Sequence, residues 1–298
     1  MKIGVTGGTG FIGQYLLKEY AGEASFVVIT ARTSMEGLYV HPQVTYKTET
    51  YNQEGFERAF EGCDAVVHLG AKRSSKDAEK NILNYTDNLQ VSEDLFLACK
   101  NLGIKNVVNI SSTAVYDMTL ETPFEEALAP APLSRYGAVK LAIEGIAHLY
   151  NRNFGMEIKS LRLAQVLGVG ERAGYMLSIF QQRCLEQQRL DVYGKGDAGR
   201  EYVYVKDVAY GIMCALKADT KKSVFNIGSG VFTSNRALAA AFCEAFENPA
   251  GYQCLVDKPE SSEHYLMNND LAEKKLGYTA QYDLKQALVD MKNILTNK

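Results

Sequence analysis

Lys2-Ile3-Gly4-Val5-Thr6-Gly7-Gly8-Thr9-Gly10-Phe11-Ile12-Gly13 is the stretch that decides the fold. Residues 2–6 read as a short buried strand, and a helical pattern starts just beyond Gly10. The glycines at 7, 10 and 13 therefore fall on a strand-to-helix turn. Gly7 can take a positive φ, Gly10 lets the backbone approach a bound diphosphate, and Gly13 lets helix and strand pack closely. Unpaired amides at the helix start, with the helix dipole behind them, make an anion site. The spacing G-x-x-G-x-x-G is one residue longer than the usual G-x-G-x-x-G form of such a turn.

Outward from this turn, short apolar runs alternate with longer helical patterns. They predict strands near 2–6, 25–30, 43–48, 64–69, 106–111 and 157–163. Phe26-Val27-Val28-Ile29 and Asp64-Ala65-Val66-Val67-His68-Leu69 are continuous runs and do not alternate. Such strands are buried on both faces, so helices must cover both sides of a parallel, doubly wound sheet. Beyond about residue 165 the rhythm changes to helices near 173–188, 207–218 and 234–246, with strands near 190–194 and 201–205. The expectation is an α/β fold: a dinucleotide-binding sheet domain over 1–165 and a smaller α+β lobe over 166–298, mainly for substrate. Val224-Phe225-Asn226-Ile227-Gly228 reads as one more sheet strand, so the chain is expected to return to the first domain near 200–230. The sequence has no internal repeat and no low-complexity linker.

Composition narrows the class. With 298 residues, 46% hydrophobic and 22% charged, the chain has the make-up of a soluble globular protein. A formal net charge of -3 argues against a nucleic-acid surface, which needs a clustered cationic excess. Cys63, Cys99, Cys184, Cys214, Cys243 and Cys254 lie apart, with no C-x-x-C pair, and read as reduced thiols of a cytoplasmic protein. Strand character directly after Met1 leaves no room for a signal peptide, and no apolar run reaches membrane-spanning length. His41, His68, His148 and His264 show no metal-ligand spacing, so no metal is expected.

Three further places carry chemistry. At the end of the second strand, Thr30-Ala31-Arg32 offers a cation where an acid would take the ribose 2′-hydroxyl, which points to NADP over NAD. In Ser134-Arg135-Tyr136-Gly137-Ala138-Val139-Lys140, Ser134 is placed to cap a helix from which Tyr136 and Lys140 leave on one face, four residues apart. An ammonium beside a phenol favours the phenolate, which suits Tyr136 to acid–base work. Asn106-Val107-Val108-Asn109-Ile110-Ser111-Ser112 is a strand ending in hydroxyls, of which Ser112 can hold a reacting oxygen, or simply end the strand as a turn former.

Together these residues resemble the extended short-chain dehydrogenase/reductases, in particular the NAD-dependent epimerase/dehydratase family acting largely on nucleotide sugars. The resemblance runs nearly end to end: Thr6 to Gly13, Asp64 to Ala71, Asn88, Ser111 to Tyr116, Tyr136 to Lys140 and Leu161-Arg162-Leu163. It continues through Arg200 to Ala209, Asn226 to Gly230 and Asp270 to Tyr278. It implies a Rossmann-like domain that binds NAD(P) through Gly7, Thr9, Gly10, Phe11, Ile12, Gly13, Arg32, Leu69, Gly70, Ala71, Ser111, Tyr136 and Lys140. It implies a catalytic set of Ser112, Tyr136 and Lys140, with Lys140 on the nicotinamide ribose, and substrate contacts from Thr113, Gln165, Tyr175, Arg200 and Lys258. It also implies a homodimer paired through helices near 88–102 and 134–152.

Departures from the family pattern bear on the substrate. Gln165 stands where the family has Asn, Gly168-Val169-Gly170 replaces Gly-Pro, and the acid of the adenine-contacting pair is offset to Glu49-Thr50. Lys258 takes the place of a second diphosphate-binding arginine. Family 4,6-dehydratases carry Asp-Glu after the catalytic hydroxyl residue. Thr113 and Ala114 occupy those places here, which disfavours dehydration. The reading is a nucleotide-sugar epimerase or keto-reductase. Alternatives are an NADPH-dependent reductase of a smaller carbonyl compound and a non-catalytic dinucleotide sensor, the last opposed by the intact Ser112, Tyr136 and Lys140.

Overall fold

The computed structural model describes residues 1–298 except 33, 35, 74, 76, 261–263 and 297–298. Its first half is built from β1 (Lys2–Thr6), α1 (Phe11–Tyr20), β2 (Ser25–Thr30), β3 (Val44–Thr48), α2 (Gln53–Phe60), β4 (Ala65–His68), α3 (Thr86–Asn101), β5 (Asn106–Ser112), α4 (Arg135–Phe154) and β6 (Glu157–Leu163). All six strands expected from the apolar runs are present; β2 and β4 are buried almost throughout, while β3, at the sheet edge, is only partly buried.

The second half begins with β7 (Gln165–Leu167), α5 (Met176–Leu185), β8 (Leu190–Tyr193), β9 (Gly199–Tyr204), α6 (Val205–Lys217) and β10 (Val224–Ile227). It ends with β11 (Phe232–Ser234), α7 (Asn235–Ala245), β12 (Tyr252–Leu255), β13 (His264–Tyr265), α8 (Asp270–Leu276) and α9 (Leu284–Thr296). The main sheet has the order β10-β6-β5-β4-β1-β2-β3, every pair parallel. This is the doubly wound Rossmann-type order with β10 added at the β6 edge, and its switch point lies between β1 and β4.

Side chains of β2 show why helices lie on both faces. Phe26 and Val28 join Ile3, Val5, Leu16 and Val208 in one apolar layer. Val27 and Ile29 join Phe56, Phe60, Phe96 and Ile143 in the other. A third core, around Phe180, Leu190, Leu238, Phe242 and Leu288, belongs to the C-terminal half. There β9 pairs with β7, β11 and β13, while β12 pairs with β8. No helix among the described residues is long and apolar enough to cross a membrane.

Candidate active site

The strand-to-helix turn sits at the switch point. Gly7 has φ +67°, and a Cβ there would lie 2.6 Å from the Gly70 nitrogen, so the turn rests against the chain leaving β4. A Cβ on Gly13 would lie 2.5 Å from the Gly8 Cα, which makes glycine obligatory for this helix to meet this turn. No side chain caps α1 at Gly10. Its first amides therefore have no side-chain cap among the described residues, as an anion site requires. The Phe11 ring packs instead beneath Gly168, where a Cβ would stand 3.0 Å from it. The Gly168-Val169-Gly170 departure thus lets the loop after β7 close down on α1.

Behind the turn runs a buried hydrogen-bond chain. Gly70 N–H donates to Thr6 Oγ1 at 3.1 Å, and Thr6 Oγ1 meets His68 Nδ1 at 2.7 Å. His68 Nε2 meets Ser92 Oγ at 3.0 Å, and Ser92 donates to the Asn88 carbonyl at 2.7 Å. Ser92 uses its own hydrogen on Asn88, so Nε2 carries the imidazole proton and Nδ1 accepts from Thr6. Burial, seconded by the Lys140 charge, pulls the His68 pKa down to about 3, so the ring is neutral. The Asn88 amide brackets the Lys72 backbone, accepting from its N–H at 2.7 Å and donating to its carbonyl at 3.0 Å. Asn88, part of the family resemblance, thus fixes the loop beside the crevice.

The Tyr136 helix begins where expected. Ser134 Oγ accepts the Gly137 N–H at 3.0 Å. A Cβ on Gly137 would lie 2.0 Å from the Ala114 carbonyl oxygen, so α4 crosses the 113–115 turn backbone to backbone. That contact seats the first turn of α4 on the short turn that follows Ser112. Ser112 Oγ accepts from Ala114 N–H at 3.1 Å. Burial pushes the Tyr136 phenol up to about 12, with Arg73 drawing it down and Tyr85 raising it. Lys140 is buried and donates to the Ile110 carbonyl at 2.7 Å. Desolvation takes its pKa down to about 8, opposed by Glu144.

Glu144 and Arg162, both nearly inaccessible, form a bidentate pair at 3.0 and 2.7 Å beneath this site. Ser111 donates to Glu144 at 2.5 Å, so its side chain points into the pair. The Arg162 guanidinium also lies 4.8 Å from the Tyr116 ring centroid. These links join β5, α4 and β6 into one rigid floor.

The remaining anticipated residues are distributed as follows. Leu69 and Gly70 are half-buried and Ala71 is exposed at the end of β4; Thr9 and Ile12 are half-buried at the turn. Arg32 is exposed at the end of β2, in an open depression of about 450 Å³ that it shares with Ala31, Ser34, Glu36 and Gly37. Thr113 is buried, and its hydroxyl has no hydrogen-bond partner among the described residues. Gln165 on β7 pairs with Tyr202 on β9, whose phenol is buried with no hydrogen bond among the described residues. Arg200 lies over the Tyr265 ring at 5.8 Å. Tyr175 is exposed at the start of α5, and Lys258 is exposed. Glu49 is held by Arg58 at 2.8 Å.

Two residues that tie these segments together, Arg73 and Glu201, are assigned no role by the sequence, although Glu201 lies in the matching run Arg200 to Ala209. Arg73 bridges to Glu171 at 2.8 Å, joining the loop after β4 to the loop after β7. Glu201, wholly buried, accepts from Gly230 and Met267 amides at 2.6 and 2.8 Å and so positions β9 against two loops. Both act between segments far apart in the chain, where spacing says nothing.

A Rossmann-type sheet with an open anion turn at its switch point and a Tyr-x-x-x-Lys helix beside a strand-end serine defines an extended short-chain dehydrogenase/reductase. Within that class, residues 3–228 match the model of the NAD dependent epimerase/dehydratase family, and the chain belongs to it. It is 31% identical over 260 residues to a UDP-glucose 4-epimerase of Lacticaseibacillus casei, covering 79% of this chain and 78% of that one. A UDP-N-acetylglucosamine 4-epimerase from Bacillus cereus superposes with a TM-score of 0.88 at 29% identity, covering 99% of each chain. The UDP-glucuronic acid 4-epimerase from Bacillus cereus, solved with UDP-glucuronic acid and NAD, gives 0.85 at 25% identity, covering 100% of this chain and 99% of that one.

Proposed function

We propose that the protein inverts a carbinol centre of a nucleotide sugar by withdrawing a hydride and returning it to the opposite face, with Tyr136 as the acid–base group. The observation that supports this reading is the Gly137–Ala114 contact, which packs the first turn of α4 on the turn after Ser112, at the end of the parallel sheet where β1 runs into the glycine turn. A dinucleotide fits the residues present. The uncapped start of α1 offers donors to a diphosphate, and the Gly7 and Gly10 positions carry no side chain to block it. Bound there, the cofactor supplies a hydride acceptor that becomes a donor again within one turnover.

Tyr136 takes the hydroxyl proton of the sugar as the carbinol is oxidised and gives it back when the ketone is reduced. Ser112 donates a hydrogen bond to the same oxygen and fixes its distance from the phenol. Lys140, anchored on Ile110, holds the cofactor ribose. The charge of Arg73 favours the phenolate against the effect of burial. With Thr113 and Ala114 after Ser112, the chain brings no carboxyl pair to that spot, so elimination of water has no acid and base there.

Arg32 supports NADP(H) as the preferred dinucleotide, since a guanidinium receives a 2′-phosphate bidentately. Arg200, Gln165, Thr113 and Tyr175 contact the sugar nucleotide, with Lys258 as a loose second cation for its diphosphate. Half-buried and exposed apolar residues on α3 and α4, Leu97, Ile146 and Leu149 among them, support a homodimer through these helices. Buried or half-buried free cysteines support a reducing, cytoplasmic setting.

A panel of UDP-, GDP- and dTDP-sugars tests the reading. An epimerase converts one of them with only catalytic dinucleotide. Stoichiometric loss of NADPH would establish a reductase instead.

A further inference from the structure

One carboxylate ties the loop leaving β4 to the start of α4. Glu79 lies in the single-turn helix Ala78–Lys80. Its Oε2 accepts the Arg135 N–H at 2.9 Å, and its Oε1 accepts the Tyr136 N–H at 3.1 Å. The Tyr85 phenol donates to the same Oε1 at 2.8 Å, and the Arg135 guanidinium donates to the Glu79 carbonyl at 2.6 Å. Ser134 takes the next amide, that of Gly137. The first three N–H groups of a 20-residue helix thus end on two side chains, one of them anionic and 56 residues upstream.

An anion at this end of a helix gains from satisfied donors and from the dipole. The geometry adds something specific to this chain. The second amide belongs to Tyr136, and the Tyr85 ring leans on the Tyr136 ring, centroids 5.9 Å apart at 57°. Backbone and ring of the same tyrosine are therefore constrained by one carboxylate, directly and through Tyr85.

We propose that Glu79 is a positioning residue for the reaction: it holds the first turn of α4 so that the Tyr136 phenol keeps its orientation, with Tyr85 as a lateral stop. Glu79 touches neither substrate nor reacting atoms. The proposal rests on the reading of Tyr136 as the acid–base group. Its effect falls on the chemical step, because the carboxylate orders the reacting phenol and leaves the nucleotide contacts of β9 and β7 alone.

Glu79→Ala, Glu79→Gln and Tyr85→Phe test it in the full chain, with the dinucleotide and the sugar nucleotide that the unaltered enzyme converts in the panel above. Misplacing a reacting group by about 1 Å can cost up to ~100-fold, so Glu79→Ala should lower kcat by about 10- to 100-fold with KM within about twofold. Glu79→Gln keeps an oxygen for the Tyr136 N–H and should recover to within about threefold, and Tyr85→Phe should lose about two- to fivefold. If Glu79→Ala does not fold, the other two variants decide the matter. Parental kcat in all folded variants, with only a lower Tm, overturns the proposal and leaves Glu79 as a helix cap. If Tyr136→Phe turns over at the parental rate, the acid–base reading fails as well. If it is inactive while the Glu79 variants are unaffected, this proposal alone fails.

Discussion

Lys140 holds its ammonium 5.8 Å from the centroid of the Tyr136 ring while donating to the carbonyl of Ile110 at 2.7 Å. The two residues leave α4 one turn apart on one face, yet the hydrogen bond that fixes the ammonium belongs to the sheet. Lys140 is thus a stiff, desolvated donor, and Arg73, from the loop after β4, draws the phenol down against the effect of burial.

Burial brings Lys140 down from its ordinary range to about 8, so its charge is present below that pH and lost as pH rises through it. Turnover should rise with pH and then level off in an alkaline limb above about pH 8. Lys140→Met should lower kcat by about 100-fold or more and abolish that limb, measured as initial rates from pH 6 to 9.5. An unchanged limb in the variant would assign it to another group.

Arg73→Met removes the charge that favours the phenolate. Below the phenol pKa, raising that pKa cuts the reactive fraction by the same factor at every pH. Carbinol oxidation should therefore slow by about three- to tenfold, uniformly across pH 6–8, an effect limited by the half-exposed position of Arg73. A slowing that appears only at one end of the range contradicts this role.

Arg32 should decide between dinucleotides. A charge-assisted contact is worth about 1.5–3 kcal/mol, so Arg32→Ala should weaken NADP(H) binding by about 10- to 100-fold and leave NAD(H) within about twofold. Titration calorimetry with both cofactors checks it. Equal losses for the two would place Arg32 outside the 2′-phosphate site.

Gly13→Ala forces a Cβ to within 2.5 Å of the Gly8 Cα, and backbone on that side cannot yield as a flexible side chain would. It should cost about 1–3 kcal/mol of stability and most dinucleotide affinity. Gly22→Ala, where nothing lies within 4 Å, is the matched control and should behave as the parent in both thermal melts and cofactor titration.

Elements were legible where one segment carried its own signal. Phe26 to Ile29 announced a strand buried on both faces, and Ser134 announced the helix that bears Tyr136. β13, only His264–Tyr265, and β7, only Gln165–Leu167, have too few residues to show a period, and their pairing is set by β9. The site follows the same rule. Tyr136, Ser112 and the glycine turn stand in local motifs. Glu79, Arg73 and Glu201 act on partners roughly thirty to a hundred residues away, which no spacing encodes. The Ser111 hydroxyl meets the buried carboxylate of Glu144, a bond between β5 and α4 that no spacing encodes.

The most direct test of the account follows the hydrogen itself. The sugar nucleotide that the enzyme converts is prepared with deuterium on the carbon that inverts, and supplied with catalytic dinucleotide in ordinary water. Hydride withdrawal and return predicts an epimer with the deuterium retained on that carbon and no net change in reduced dinucleotide. Loss of the label to solvent, or accumulation of reduced cofactor in step with product, would contradict it.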